Sequence, residues 1–123
     1  MIDTTLRDSL GIALDRTIER VSLGGARGEE HVVPSTMLVE PGTVVEFFTV
    51  DYRVHSITFV EDSLTVPARA FLDESGILAS PPLVEEGSRF VVDFMGAPPG
   101  RYPYVSHGPG EPARGVIVVG TLR

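Results

Sequence analysis

Residues 100–120, GRYPYVSHGPGEPARGVIVVG, decide the fold of this chain. Every second residue within 102–106 should face the same side, which is the period-2 pattern of a half-buried β-strand. Residues 107–112 contain two Gly and two Pro and predict a loop, whereas the β-branched run at 116–119 predicts a second strand. The two strands fix the ends of the loop, which makes its His107 a candidate metal ligand.

The composition is that of one β-rich domain. The chain has 123 residues, of which 42% are hydrophobic, and this is enough to form a single core. Its 13 Gly and 10 Pro favour short strands and many turns. About seven strands separated by turn signals are predicted, and this pattern indicates an all-β Greek-key sandwich.

The strands are predicted within residues 17–123, which we interpret as one domain. They are 18–23, closed by a turn at Gly24–Gly25; 31–33 continued by 36–39 and broken at Pro34; 44–50; 56–60; 89–94; and the two strands of 100–120. Residues 61–87 have the least regular pattern. They should contain one or two helical turns that end near Gly76.

The N-terminal extension, residues 1–16, lies outside this pattern. Leu6, Leu10 and Leu14 are spaced four apart, which predicts a short amphipathic helix, and a strand over 11–14 is the alternative. The extension has neither the basic region nor the apolar stretch of an export signal.

Charge limits the partners of this protein. The 17 acidic and 10 basic residues give a net charge of −7, which disfavours nucleic acid and anionic membrane surfaces. No apolar run approaches the ~20 residues of a membrane span. Six acidic residues in turn regions are interpreted as solvated surface: Glu29, Glu30, Glu61, Asp62, Glu85 and Glu86. His31, beside the first two, is interpreted as an exposed histidine. A basic partner protein and a second copy of the chain are the partners left open.

Two stretches carry a resemblance to a known family. They are the pattern G-x-Y-x-Y at 100–104 with RGVIVV at 114–119, and VEPGTVVEFFTVDYRVHSITF at 39–59. In this order and spacing they resemble the cupredoxins, the plastocyanin and azurin family of small copper proteins, over about residues 35–120. The resemblance implies a cupredoxin β-sandwich and puts His55 at the position of the first histidine ligand.

The sequence departs from the family pattern at the positions where the family has its metal ligands. Ser106 stands at the position of the family's cysteine, the chain has no cysteine, and Ala113 stands at the position of the axial methionine. His107 follows Ser106 directly, whereas the family's second histidine lies several residues further on. A blue-copper site needs two histidines, a cysteine and a weak axial ligand, so the sequence predicts a degenerate type 1 site.

The resemblance implies that the loops carrying His55 and His107 meet at one end of the sandwich. Two imidazoles there could bind Cu(II) or Zn(II), with Ser106 and Glu111 as weaker contributors. In the alternative, His55 bonds only to loop backbone and His107 only packs against its neighbours.

Three hypotheses follow for the function. The first is a copper-binding module for storage, delivery or tolerance; the second is a metal-free interaction domain; the third is an electron carrier, which the missing thiolate disfavours. The cofactor is accordingly copper or none. Cupredoxins are usually exported, so the resemblance implies an extracytoplasmic location.

An enzyme is not expected from this sequence. Ser106 and His107 are adjacent on a predicted strand, so their side chains point to opposite faces and do not form a nucleophile–base pair. No nucleophile-elbow motif is present either.

Overall fold

The computed structural model describes residues 17–26, 29–51, 54–84 and 87–120. This part of the chain forms eight β-strands and one α-helix. The strands are β1 (Ile18–Ala26), β2 (Glu29–Val33), β3 (Thr36–Val39), β4 (Val44–Thr49), β5 (Ser56–Phe59), β6 (Arg89–Asp93), β7 (Gly100–His107) and β8 (Ala113–Val119). The helix α1 is Val66–Glu74, and a short 3₁₀ turn at Glu61–Ser63 precedes it.

The strands form two four-stranded sheets. One sheet has the order β2-β1-β4-β6 and the other β3-β8-β7-β5. Pairing is parallel between β1 and β4 and between β3 and β8, and it is antiparallel elsewhere. This arrangement confirms the predicted all-β sandwich.

Aromatic side chains join the two sheets across the core. The ring of Tyr104 on β7 packs edge-on against Phe47 on β4 of the other sheet, with ring centroids 5.0 Å apart. It also packs edge-on against Phe59 on β5 of its own sheet, at 6.2 Å. Phe94, just after β6, packs edge-on against Tyr102 at 5.3 Å. All of these rings are buried. Because such contacts contribute beyond their buried area, they fix how the sheets face each other.

The helix predicted near Gly76 is confirmed as α1. The Thr65 hydroxyl caps it by accepting a hydrogen bond from the Ala68 backbone N–H at 3.2 Å. Ala68 and Leu72 are buried against the sandwich. Gly76 ends the segment with a φ of 70°, which glycine adopts without steric cost.

Two local predictions were wrong. Gly24 and Gly25 do not form a turn but continue β1, where they pair with His31 and Glu30 of β2. Glycine is needed at position 24 because a Cβ there would lie 2.9 Å from the Val50 side chain.

The second error concerns the strand broken at Pro34. The two parts of that predicted strand are β2 and β3, and they belong to different sheets. The peptide bond from Val33 to Pro34 is cis. The N-terminal extension, 1–16, lies outside the described residues, so its helix and the domain boundary stay predictions.

Replacing Gly115 with alanine should destabilise the fold. Gly115 pairs with Tyr104 across β7 and β8, and an added Cβ would collide with the phenol ring. Overpacking of this kind typically costs about 1–3 kcal/mol. Denaturant unfolding measures it, with Gly120→Ala as the control, because nothing lies within 4 Å of a Cβ there. Equal stability of the two variants would contradict the packing described.

Stability should also fall in alkali. Burial raises the pKa of Tyr102 and of Tyr104 to about 12 from the ordinary 10.0. Below pH ~10 both phenols are neutral in the folded and unfolded states. Between ~10 and ~12 only the unfolded chain ionises, so each tyrosine lowers the free energy of unfolding by about 1.4 kcal/mol per pH unit.

Denaturant unfolding measured between pH 9 and 11.5 tests this expectation. The absorbance of the phenolate reports the ionisation of the tyrosines over the same range. The Tyr104→Phe variant should lose part of the pH dependence. Ionisation of both buried phenols at pH 10 in the still-folded protein would contradict it.

Candidate metal site

His55 is fixed at one end of the second sheet, directly before β5. Its backbone N–H donates to the Leu83 carbonyl at 3.1 Å, and its carbonyl accepts from the Leu83 N–H at 2.8 Å. The side chain is buried, with the residue 1% exposed. The loop containing Leu83 therefore holds the imidazole in the interior.

The register of β5 and β7 decides which predicted residues share the inner face. Ile57 pairs with Ser106, and Ser56 pairs with His107. Because side chains alternate along a strand, His55, Ile57 and Ser106 face inward. His107 is exposed, and its side chain lies on the opposite, outward face of β7.

One ring nitrogen of His55 is held by a carboxylate. Nε2 lies 2.7 Å from Oδ1 of Asp51, and Oδ2 of Asp51 accepts from the Gly25 backbone N–H at 3.1 Å. An ionised carboxylate only accepts hydrogen bonds, so this contact assigns a proton to Nε2. In the neutral ring, Nδ1 then carries the lone pair.

The other ring nitrogen faces a second carboxylate. Nδ1 of His55 lies 2.9 Å from Oε1 of Glu30, and both side chains are fully buried. The contact is short, but Nδ1 makes no hydrogen bond of acceptable geometry. Oε2 of Glu30 accepts from the Gly110 backbone N–H at 3.0 Å. Two carboxylates therefore flank one imidazole.

The interpretation of Glu30 as solvated surface was wrong. Residues of β2 alternate between exposed and buried, and Glu30 falls on the buried face together with Val32. Gly108 provides the room, since a Cβ there would collide with the Glu30 carboxylate. The sequence of residues 29–33, EEHVV, has no alternation of polar and apolar residues that would have indicated this burial. His31, by contrast, is exposed as expected.

Ser106, at the position where the resemblance implies a cysteine, is fully buried. Its hydroxyl has no hydrogen-bond partner among the described residues. Most buried polar atoms in proteins are hydrogen-bonded, so a buried hydroxyl without a protein partner can be satisfied by a water molecule or by an ion. This hydroxyl shares the inner face with the unbonded Nδ1 of His55.

The remaining predicted ligands lie at the rim. His107 is the last residue of β7 rather than part of the loop, and Glu111 is exposed, with its carbonyl accepting from the Glu30 N–H at 2.9 Å. His55 and His107 both line an open depression of about 280 Å³ together with Pro82 and Pro109. The structure thus brings the two histidines to one depression, one from the interior and one from the surface.

The donor set does not fit a type 1 copper centre, because no thiolate is available. Among residues 17–26, 29–51, 54–84 and 87–120, no three His, Asp or Glu side chains are grouped as ligands of one ion. The unbonded Nδ1 and the buried hydroxyl do fit an ion that accepts nitrogen and oxygen donors. A depression of about 300 Å³ elsewhere, beside Arg101 and Arg114, is lined by neither histidine nor carboxylate.

The sequence matches no protein-family model and no curated protein. Solved structures do match. Oxidised plastocyanin from Dryopteris crassirhizoma superposes with a TM-score of 0.63 at 20% identity, over 82% of this chain and 99% of that one. A purple cupredoxin from Nitrosopumilus maritimus gives 0.55 at 18% identity, over 83% and 99%.

The Cu-containing nitrite reductase from Thermus scotoductus SA-01 gives a TM-score of 0.61 at 21% identity, over 90% of this chain. The match covers only 24% of the reductase, so the chain spans about a quarter of that protein. At such identities the likeness concerns the fold alone. The chain has the cupredoxin fold, as the resemblance in sequence predicts. No helix in the described ranges is long and apolar enough to cross a membrane.

Proposed function

We propose that this cupredoxin-fold domain is a metal-binding module that holds a divalent ion, Cu(II) or Zn(II), without sulfur. The observation that carries the proposal is the environment of His55. One ring nitrogen is anchored to Asp51, and the other is buried without a hydrogen bond. Histidines that bind metals commonly donate their second ring N–H to a carboxylate, which orients the ring and raises its basicity.

His55 and His107 are the proposed ligands, with Ser106 and Glu111 as weaker contributors. Imidazole suits both Cu(II) and Zn(II). The bound ion would supply a pale or colourless centre suited to storage, delivery or tolerance. Fast electron transfer is not part of the proposal, because the site has no thiolate, and neither is catalysis.

A metal-free interaction domain is the second candidate. The contact between Glu30 and His55 favours it. With a second proton on Nδ1, the ring would be an imidazolium between two carboxylates, and such a buried ion cluster needs no metal. The fold would then serve only as a scaffold for a partner protein.

Metal titration separates the two candidates. Calorimetry of the metal-free protein with Zn(II) and with Cu(II) should show one saturable site. The His55→Gln variant should bind at least tenfold more weakly, because it loses the buried imidazole. His31→Gln is the matched control, since His31 is exposed on β2. The His107→Ala variant tests the contribution of the second histidine separately. Absence of saturable binding in the wild type would favour the metal-free interaction domain.

A cysteine at position 106 should make the bound copper visible. Ser106 shares the inner face of the site with His55, so the Ser106→Cys thiolate would lie beside an ion bound there. Addition of Cu(II) to this variant should produce an intense visible charge-transfer band that Ser106→Ala and the wild type lack. A variant that binds Cu(II) but stays pale would show that position 106 does not face the ion.

A further inference from the structure

We propose that the depression between Arg101 and Arg114 binds a small organic anion, in which a carboxylate or phosphate is joined to an apolar group. Its volume is about 300 Å³, which lies at the lower end of the range for small-molecule sites. None of the described residues lines both this depression and the one beside His55 and His107. The inference therefore goes beyond the proposed metal site and does not depend on it.

The register of β7 and β8 places one arginine at each end of the depression. Pro103 pairs with Val116, while Arg101 pairs with Val118 and Arg114 follows two residues before Val116. Because alternate residues of a strand share a face, both arginines lie on the same outer face as Pro103 and Val116. The strands are antiparallel, so the two arginines are four positions apart along the sheet, or ~13 Å. Both side chains can thus reach a ligand that lies over the pair in the middle.

The floor of the depression is apolar and one side of it is polar. Val60, Pro103 and Val116 line it and are half-buried. Thr36 pairs with Val116 from β3, so its side chain shares the outer face, and Ser35 lies beside it. Hydroxyl groups can donate to the oxygens of an anion. A mostly apolar surface with a few polar groups is typical of a site that binds small molecules.

The two arginines differ from the other described arginines in their partners. Arg20, Arg69 and Arg89 each form an ion pair with a glutamate. In the part of the chain that the structure describes, no carboxylate forms an ion pair with Arg101 or Arg114. The chain has 17 acidic and 10 basic residues, so acidic partners are in excess. Two guanidinium groups around one depression are therefore left for an anion from outside.

The chemistry of the lining determines the class of ligand. A guanidinium group forms paired hydrogen bonds with the oxygens of a carboxylate or a phosphate. At an exposed position such an ion pair contributes little, because water and salt screen it. The net charge of −7 also opposes the approach of anions. Contact of an apolar group with Pro103 and Val116 supplies the additional attraction, so an inorganic anion alone should be held poorly.

Titration of the full chain, followed by nuclear magnetic resonance, tests the inference with benzoate and phenyl phosphate as probes. At least one of them should shift the backbone N–H resonances of Arg101, Arg114 and Val116 in a saturable manner. The tighter of the two identifies the anion as a carboxylate or a phosphate. Benzamide has the shape of benzoate without its charge and should cause no such shifts. Inorganic phosphate should bind at least fivefold more weakly than the tighter probe.

Substitution of the arginines tests their role directly. Arg101→Gln and Arg114→Gln should each weaken binding of the tighter probe at least fivefold, because each removes one guanidinium group. Both positions are exposed, so neither variant should disturb the core. Arg89→Gln is the matched control, since it removes the same charge from β6 in the other sheet. Its affinity for the probe should equal that of the wild type.

The inference has clear contrary outcomes. Absence of saturable shifts with both probes would overturn it, and so would equal affinities of the wild type, Arg101→Gln and Arg114→Gln. Shifts confined to residues outside the depression would also overturn it, since the anion would then bind elsewhere. None of these results would change the outcome of the Zn(II) and Cu(II) titrations, so the two proposals can fail separately.

Discussion

The hydrogen bond between His55 Nε2 and Asp51 Oδ1 is the interaction on which the site depends. It fixes the orientation of the ring and decides which nitrogen is left for another partner. Asp51 is itself held by the backbone N–H of Gly25 in β1. Because Gly25 continues the strand rather than forming a turn, its N–H is directed toward the site. The imidazole of the second sheet is therefore positioned by the first sheet.

The fold and the site are largely independent of each other. Tyr104, Phe47 and Phe59 pack in the core between the sheets, and their contacts need no ion at the end of the sandwich. Structures that share about a fifth of their residues with this chain have the same fold. Fold alone does not define the chemistry of a site, so the function has to be argued from His55 and its neighbours.

The sequence was sufficient to predict the sandwich, since the alternation along β7 and the turn signals between strands are local features. Through the resemblance it also pointed to His55, whose role as a ligand stays a prediction. Glu30 was missed because its burial depends on two distant residues, Gly108 and His55, which only the folded chain brings to it. The break at Pro34 was located correctly, but sequence pattern does not show which sheet a strand joins. The ligand roles of His107 and Glu111 stay predictions.

The strand order has a consequence for the time at which the site forms. β3 is the edge strand next to β8, and it pairs residues near position 37 with residues near position 117. The hydrogen bond from Gly110 to Glu30 likewise spans 80 positions. Contacts between such distant positions slow folding, because a long loop has to close before they are gained. On the ribosome, neither the second sheet nor the pocket around His55 can be completed until β8 has emerged, so any ion must enter after that strand has been made.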